Sequence, residues 1–323
     1  MKMMKAVLAD GPGGPEVLRL AEVARPQAGP GEIVVSVKAC ALNPVDYKIR
    51  AGYLSARRTY PAIYGYDVSG VVDETGAGVS EFAPGDEVFY CAELFGQGAY
   101  AQFHAVRTDI VHKKPANLTH VQAAAIPLAG MAAWQGLFKQ ARLAMGETIL
   151  IYGAAGGVGS LAVQMASWAG ARVIGVCSTA NFEYLKSLGA DHIVDYTKGS
   201  VAERIHQITN GEGVEVVLET VGDDCLIESF EIIKQFGRIV FLNAITSNKP
   251  LSALNPAKLK NAAIFCELER PAKETLSAIY TLVTRGFIKP QVDQVISLGQ
   301  VAEGHRRLEG RHGRGKIVID LSI

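Results

Sequence analysis

The stretch from Thr148 to Ala171 contains no charged residue. Hydropathy alone would pass it as a membrane span, but Gly153, Gly156, Gly157, Gly159 and Gly170 interrupt it, which a spanning helix does not favour. It reads instead as a strand (Thr148–Tyr152), a turn (Gly153-Ala154-Ala155-Gly156-Gly157-Val158-Gly159) and an amphipathic helix (Ser160–Ala169). Gly156 and Gly159 have the spacing of the later glycines in a dinucleotide fingerprint, with Ala154 in the place of the first. Such a turn lets backbone approach a pyrophosphate, and the N–H groups and dipole at the helix start favour the anion. Ala155, Gly156, Gly157, Val158 and Gly159 are the expected cradle. A turn that binds nothing is the alternative, and the strand before it and helix after it weigh against that.

The surrounding sequence repeats the unit. Strands are expected at Arg172–Cys177, His192–Asp195, Val214–Glu219, Arg238–Asn243 and Ala262–Cys266. Helices fall between them at Asn181–Leu188, Val201–Thr209 and Asp224–Lys234. Short Val/Ile/Leu strands alternating with helices imply a parallel sheet covered on both faces, a doubly wound Rossmann domain. The first third differs. Its β-type runs (Met3–Leu8, Glu32–Ala39, Val68–Asp73, Glu87–Tyr90, Ala99–Val106) are separated by Gly/Pro turns with no helix among them, an irregular, mostly antiparallel β domain. Residues 123–267 are therefore expected to form the nucleotide domain, and 1–122 with 268–323 the other.

With 32 basic and 32 acidic residues the net charge is zero, so nothing invites nucleic acid as a partner. Apolar residues make up 49%, enough for two packed cores. The five cysteines have no short spacing, which fits reduced thiols and a cytoplasmic location. The apolar run at Met1–Asp10 is too short for a signal peptide. The seven histidines show no metal spacing and are expected at the surface or in turns. The basic run Arg306, Arg307, Arg311, His312, Arg314 and Lys316 reads as a solvated face.

Nucleotide choice should be set at the end of the second strand, where a carboxylate would take a ribose 2′-hydroxyl and repel a 2′-phosphate. Here the sequence is Val176-Cys177-Ser178-Thr179-Ala180-Asn181, without an acid. Ser178, Thr179 and Asn181 can donate to a phosphate, which favours NADPH and leaves NADH as the alternative. A helix cap is the competing role for Ser178 or Thr179.

Taken together, Asn43-Pro44-Val45-Asp46-Tyr47-Lys48-Ile49-Arg50, Gly65-Tyr66-Asp67-Val68-Ser69-Gly70, Gly85-Asp86-Glu87-Val88, the glycine turn, Pro127-Leu128-Ala129-Gly130 and Gly315-Lys316-Ile317-Val318 resemble a known family. It is the zinc-free quinone oxidoreductase and enone reductase branch of the medium-chain dehydrogenase/reductase superfamily. The resemblance covers nearly the whole chain. It implies an alcohol-dehydrogenase-like catalytic domain, a Rossmann cofactor domain and a cofactor in the cleft between them. In zinc-dependent relatives the catalytic metal is held by Cys where this chain has Asn43, by His where it has Tyr66, and by a residue near Leu128. None of these is a usual zinc ligand, Cys40 is three residues out of register, and only Cys91 lies where a structural zinc lobe would be.

Without a Lewis acid an isolated carbonyl is hard to reduce, whereas a conjugated acceptor spreads the incoming charge. Quinones and α,β-unsaturated carbonyls are the expected substrates. The resemblance places Asn43, Asp46 and Lys48 at the nicotinamide, with Lys48 as the main donor oriented by Asp46. Tyr47, Tyr53 and Tyr66 serve as auxiliary donors or walls. It also places Tyr196 beside the adenosine phosphate, with a packed aromatic as the alternative, while Thr220, Val221, Phe241 and Leu242, after the later strands, fall at the carboxyl edge of the sheet, where cofactors bind. Asn181 stands where many relatives carry lysine, and Ala132 where threonine is usual. These departures leave room for a nucleotide-binding protein with little turnover, and an enoyl-thioester reductase is a further alternative. The last strand of the cofactor domain is expected to pair across a homodimer axis.

Overall fold

The computed structural model describes residues 2–53, 55–222, 224–242, 260–266, 272–310 and 313–323. The chain divides into two compact units, one of residues 1–131, 270–286 and 290–323, the other of 132–269 and 287–289.

In the first unit β1 (Met3–Ala9), β2 (Arg19–Ala24), β3 (Glu32–Ala41), α1 (Pro44–Arg50), β4 (Ala62–Ile63), β5 (Asp67–Thr75), β6 (Glu87–Cys91), β7 (Phe103–Arg107) and β8 (Val111–Lys113) precede α2 (His120–Ala124) and α3 (Pro127–Trp134). β1 lies between β2 and β4 in a small antiparallel sheet. β3 is the spine of the larger sheet, antiparallel to both β5 and β7. Its Ile33, Val34, Val35, Val37, Ala39, Cys40 and Ala41 are all buried. A strand apolar at nearly every position suits a site covered on both faces.

Two features depart from the expected outline. The first third does contain a helix: α1 starts with Pro44 at its first position, and the Asp46 carboxylate accepts the Asn43 N–H at 2.8 Å. These are ordinary helix-start signals hidden among strands. The first unit also runs to Met131, beyond the expected end at 122. Ala124 and Ala125 there pack against Ala39, Ala41 and Val318, so the alanine-rich stretch is cut to fit β3.

The second unit is built from β9 (Thr148–Ile151), α4 (Gly157–Trp168), β10 (Arg172–Cys177), α5 (Phe182–Ser187), β11 (His192–Asp195), α6 (Val201–Ile208), β12 (Val214–Glu219), α7 (Asp224–Ile232), β13 (Ile233–Phe241) and β14 (Ala263–Phe265). Its six strands lie in the order β11-β10-β9-β12-β13-β14 and every pair is parallel. The order reverses between β9 and β12, the doubly wound arrangement whose ligands bind at the carboxyl ends beside the reversal. Leu150, Tyr152, Ile174, Val176, Val217 and Phe230 are among the residues of its core. β13 stops at Phe241, and Asn243 lies outside the described residues.

The chain then returns to the first unit with α8 (Lys273–Thr284), β15 (Val292–Ile296), α9 (Val301–Glu309) and β16 (Lys316–Asp320). β16 pairs parallel with β15 and antiparallel with β3. No helix among the described residues is long and apolar enough to cross a membrane.

Candidate nucleotide cradle and active site

The glycine turn leaves β9 through Gly153, whose φ of +63° suits a residue without Cβ. A Cβ on Gly159 would sit 2.2 Å from the Gly153 carbonyl oxygen and 2.6 Å from Ala154 Cα, so the helix can approach the turn only with glycine there. At Gly156 the same atom would come to 3.3 Å of the Gly153 oxygen. α4 starts at Gly157 without a side-chain cap or an acidic residue in its first turn. Its first N–H groups, on Gly157, Val158 and Gly159, have no helical partner of their own. A turn pulled tight against the strand, with donors and a positive dipole end beyond it, fits a dinucleotide pyrophosphate.

Around the turn, the Thr220 hydroxyl donates to the Tyr152 carbonyl at 2.8 Å, closing the end of β12 over β9. Val221 N–H and Gly222 N–H donate to the buried Glu219 carboxylate, at 2.5 Å and 2.9 Å. Sequence reasoning passed over Glu219 as a strand residue; its carboxylate shapes this loop. Leu242 N–H donates to the Glu219 carbonyl at 3.0 Å. Phe241 departs from expectation, because its ring is buried in the core, which leaves only its backbone at the edge. Ala155 is buried as well, while Gly156, Gly157 and Val158 are partly open.

At the end of β10, Ser178 and Asn181 are partly buried and Thr179 is exposed. The Asn181 amide lies 3.5 Å from the Ser178 hydroxyl. Thr179 turns its hydroxyl to the carboxylate of Asp195, which the parallel register sets opposite Cys177. Asp195 also accepts the Thr197 N–H at 2.9 Å and the Thr197 hydroxyl at 2.7 Å. The hydrogen bond from Thr179, joined by those from Thr197, holds its carboxyl down at about 2, so it is ionised at neutral pH. The neighbouring Tyr196 ring is 54% exposed.

In the first unit a second set of side chains converges beneath α1. The Lys316 ammonium donates to the Asn43 amide oxygen and, at 2.9 Å, to Asp67, while the Asn43 amide donates to Asp67 at 2.8 Å. Asp67 also accepts the Leu128 N–H at 2.5 Å. All three side chains are buried. Lys316 is thus a core cation and not part of a solvated face; Arg311 and His312 of that run lie outside the described residues.

Asp46 points into the same core. Besides the Asn43 N–H it accepts the Tyr100 hydroxyl at 2.6 Å. Its other oxygen has no partner among the described residues, and burial pushes its pKa up to about 7 against the hydrogen bonds that favour the charged form. Asp46 therefore anchors the start of α1, and the Lys48 side chain, two residues further on, is partly buried. Tyr100 OH lies 3.2 Å from His305 Nε2, and Arg50 Nη1 lies 3.2 Å from His305 Nδ1. Arginine cannot accept, so Nδ1 is the acceptor and Nε2 carries the proton. Burial and the Arg50 charge lower the His305 pKa to about 3. His305 and His104 are buried, contrary to the surface placement expected of the histidines.

Tyr53 is 38% exposed. Tyr66 is fully buried, and its hydroxyl has no hydrogen-bond partner among the described residues. The Arg58 guanidinium lies 5.8 Å from its ring. The structure thus brings Asn43, Asp46, Asp67, Tyr100, His305 and Lys316 into bonded networks, with Lys48 and Tyr53 nearer the surface. Where a catalytic zinc would require soft or imidazole ligands, Asn43 faces an ammonium and a carboxylate. Among the described residues no three His, Cys, Asp or Glu side chains could hold a metal together. The residues present do not fit zinc.

Known proteins share this arrangement. Residues 29–116 match the alcohol dehydrogenase GroES-like domain, and 157–270 match the family described as zinc-binding dehydrogenase. The mitochondrial NAD(P)H oxidoreductase RTN4IP1 of Danio rerio is 31% identical over 328 residues, covering 90% of this chain and 84% of the relative. Among solved structures, an NAD-dependent alcohol dehydrogenase superposes with a TM-score of 0.93 at 33% identity, over 98% of this chain and 100% of the other. The quinone oxidoreductase from Coxiella burnetii gives 0.90 at 32%, over 99% and 100%. Both units, the strand order and these matches define a nicotinamide-dependent oxidoreductase. The chain belongs to the medium-chain dehydrogenase/reductase superfamily, within its quinone oxidoreductase branch.

Proposed function

We propose that this protein is a metal-independent reductase that uses NADPH or NADH to reduce a quinone or an α,β-unsaturated carbonyl compound. The observation that carries the reading is the cradle formed by Gly153, Gly156 and Gly159 at the reversal of a doubly wound sheet. When bound, the reduced nicotinamide supplies a hydride equivalent. The side chains of the first unit supply hydrogen bonds and no Lewis acid, so the acceptor must carry the arriving charge over a conjugated system.

Lys48 is the donor proposed to meet the substrate oxygen, with Tyr53 and the unpartnered Tyr66 hydroxyl as further donors. Asn43 and Asp46 act one step back, pinning the first turn of α1 so that Lys48 is presented from a fixed helix. Names among the relatives agree with this chemistry: one is a quinone oxidoreductase, another an NAD(P)H oxidoreductase. The adenosine ribose is proposed to lie beside the ends of β10 and β11, where the choice between NADH and NADPH is made. β14, the last strand of the second unit's sheet, is the proposed pairing edge of a homodimer, which sedimentation would report.

The test is oxidation of NADPH and of NADH by the purified protein with a panel of quinones and enones, followed by absorbance, alongside metal analysis. Turnover without stoichiometric zinc is expected, and Lys48→Met should lower kcat/KM by about 100-fold. Nucleotide binding with no turnover on any acceptor, or activity that disappears with a chelator and returns with zinc, defeats the proposal.

A further inference from the structure

One of the three side chains that favour NADPH by sequence already has its donor engaged by an acid: Thr179 gives its hydroxyl proton to Asp195, whereas the Ser178 hydroxyl accepts from the Asn181 amide at 3.5 Å and spends no proton there. The carboxylate engaged by Thr179 belongs to the next strand. β10 and β11 run parallel, with Cys177 opposite Asp195, so both strands deliver their last side chains to one edge of the sheet. An acid missing from the second strand is thus supplied by the third.

We infer that Asp195 selects the nucleotide, disfavouring the 2′-phosphate of NADPH and leaving NADH as the preferred reductant. The inference rests on the pyridine-nucleotide reading above and reverses the preference suggested by Ser178, Thr179 and Asn181 alone. A fixed negative charge beside the groups expected at the adenosine ribose opposes a dianionic substituent there, while a 2′-hydroxyl can donate to it. Its ionisation persists at neutral pH because Thr179 and Thr197 hold the charged form. Lys198, on the exposed turn that follows, is the cation in its field and tempers this charge.

Asp195 also turns the backbone through its bonds to Thr197. Asparagine keeps an acceptor for that turn and removes only the charge, so Asp195→Asn separates selectivity from structure. Binding of NADH and NADPH to the intact protein, measured by nucleotide fluorescence without any acceptor, is the readout. The native protein should bind NADH about tenfold more tightly than NADPH. Asp195→Asn should tighten NADPH about tenfold without tightening NADH, so the ratio of the two affinities changes. A measurement on the native protein alone stands should the variant not fold. Raising salt from about 0.02 M to about 0.2 M should narrow the NADH preference, as expected for repulsion between exposed charges. A native preference for NADPH, or an Asp195→Asn variant with an unchanged ratio, overturns the inference while leaving the pyridine-nucleotide reading intact. Failure to bind either nucleotide removes both.

Discussion

Asp46, Tyr100 and His305 form a chain of hydrogen bonds in which the imidazole Nε2–H donates to Tyr100 and Tyr100 donates to Asp46. The two ends titrate in opposite senses. Native Asp46 keeps its proton up to about 7, whereas an unfolded aspartate loses it near 3.8, so between those values the native state binds more protons and stability falls as pH rises. Native His305 stays neutral down to about 3 against an ordinary 6.5, so in that range the native state binds fewer protons and stability rises with pH. Across the shared window the two slopes offset each other. Asp46→Asn should therefore become more stable as pH rises from about 4 to 6.5, and His305→Gln less stable over the same range. Urea unfolding at several pH values reads both; parallel curves for the two variants would contradict the assignment. None of this is visible in sequence. His305 sits among charged residues on a short helix, and its partners lie 205 and 255 positions away.

At the scale of elements the glycine turn makes a graded prediction. Gly159→Ala forces a Cβ into backbone at 2.2 Å, an overpacking that should cost about 1–3 kcal/mol and abolish nucleotide binding. Gly156→Ala meets its neighbour at 3.3 Å, so the fold should survive while nucleotide affinity drops about tenfold or more. Calorimetry and nucleotide titration of the two variants check this; equal loss of stability in both would mean that the turn is only a packing device. The second unit was legible because each strand is a short apolar run and each helix is set off by turn residues, so β11 and β12 fall where the pattern puts them. α1 was not, since seven residues span less than two turns of apolar periodicity. Its evidence was Asn-Pro-x-Asp, a cap signature that also carried the family resemblance and was read only in that sense. Nor could spacing along one strand reveal Asp195, because its neighbour Thr179 is reached across the sheet.

For the molecule as a whole, the first unit is assembled from both ends of the chain, and Lys316 is the clearest sign of it. Its ammonium lies with Asp67 and Asn43, 249 and 273 positions earlier. Lys316→Met would leave the Asp67 carboxylate buried without its cation and should cost about 3–5 kcal/mol. Adding Asp67→Asn should recover part of that loss, measured as the unfolding midpoint in urea; a double variant no more stable than Lys316→Met alone would argue against the pair. The same closure bears on how the polypeptide is made. During synthesis β3, α1 and β5 leave the ribosome long before β16, and until it arrives an acidic group is committed to the interior with no counter-ion. The nucleotide-binding unit, nearly continuous in the chain, can fold as it emerges. The unit that emerges first therefore reaches its native state last, and nascent chains halted before Lys316 should depend on chaperones.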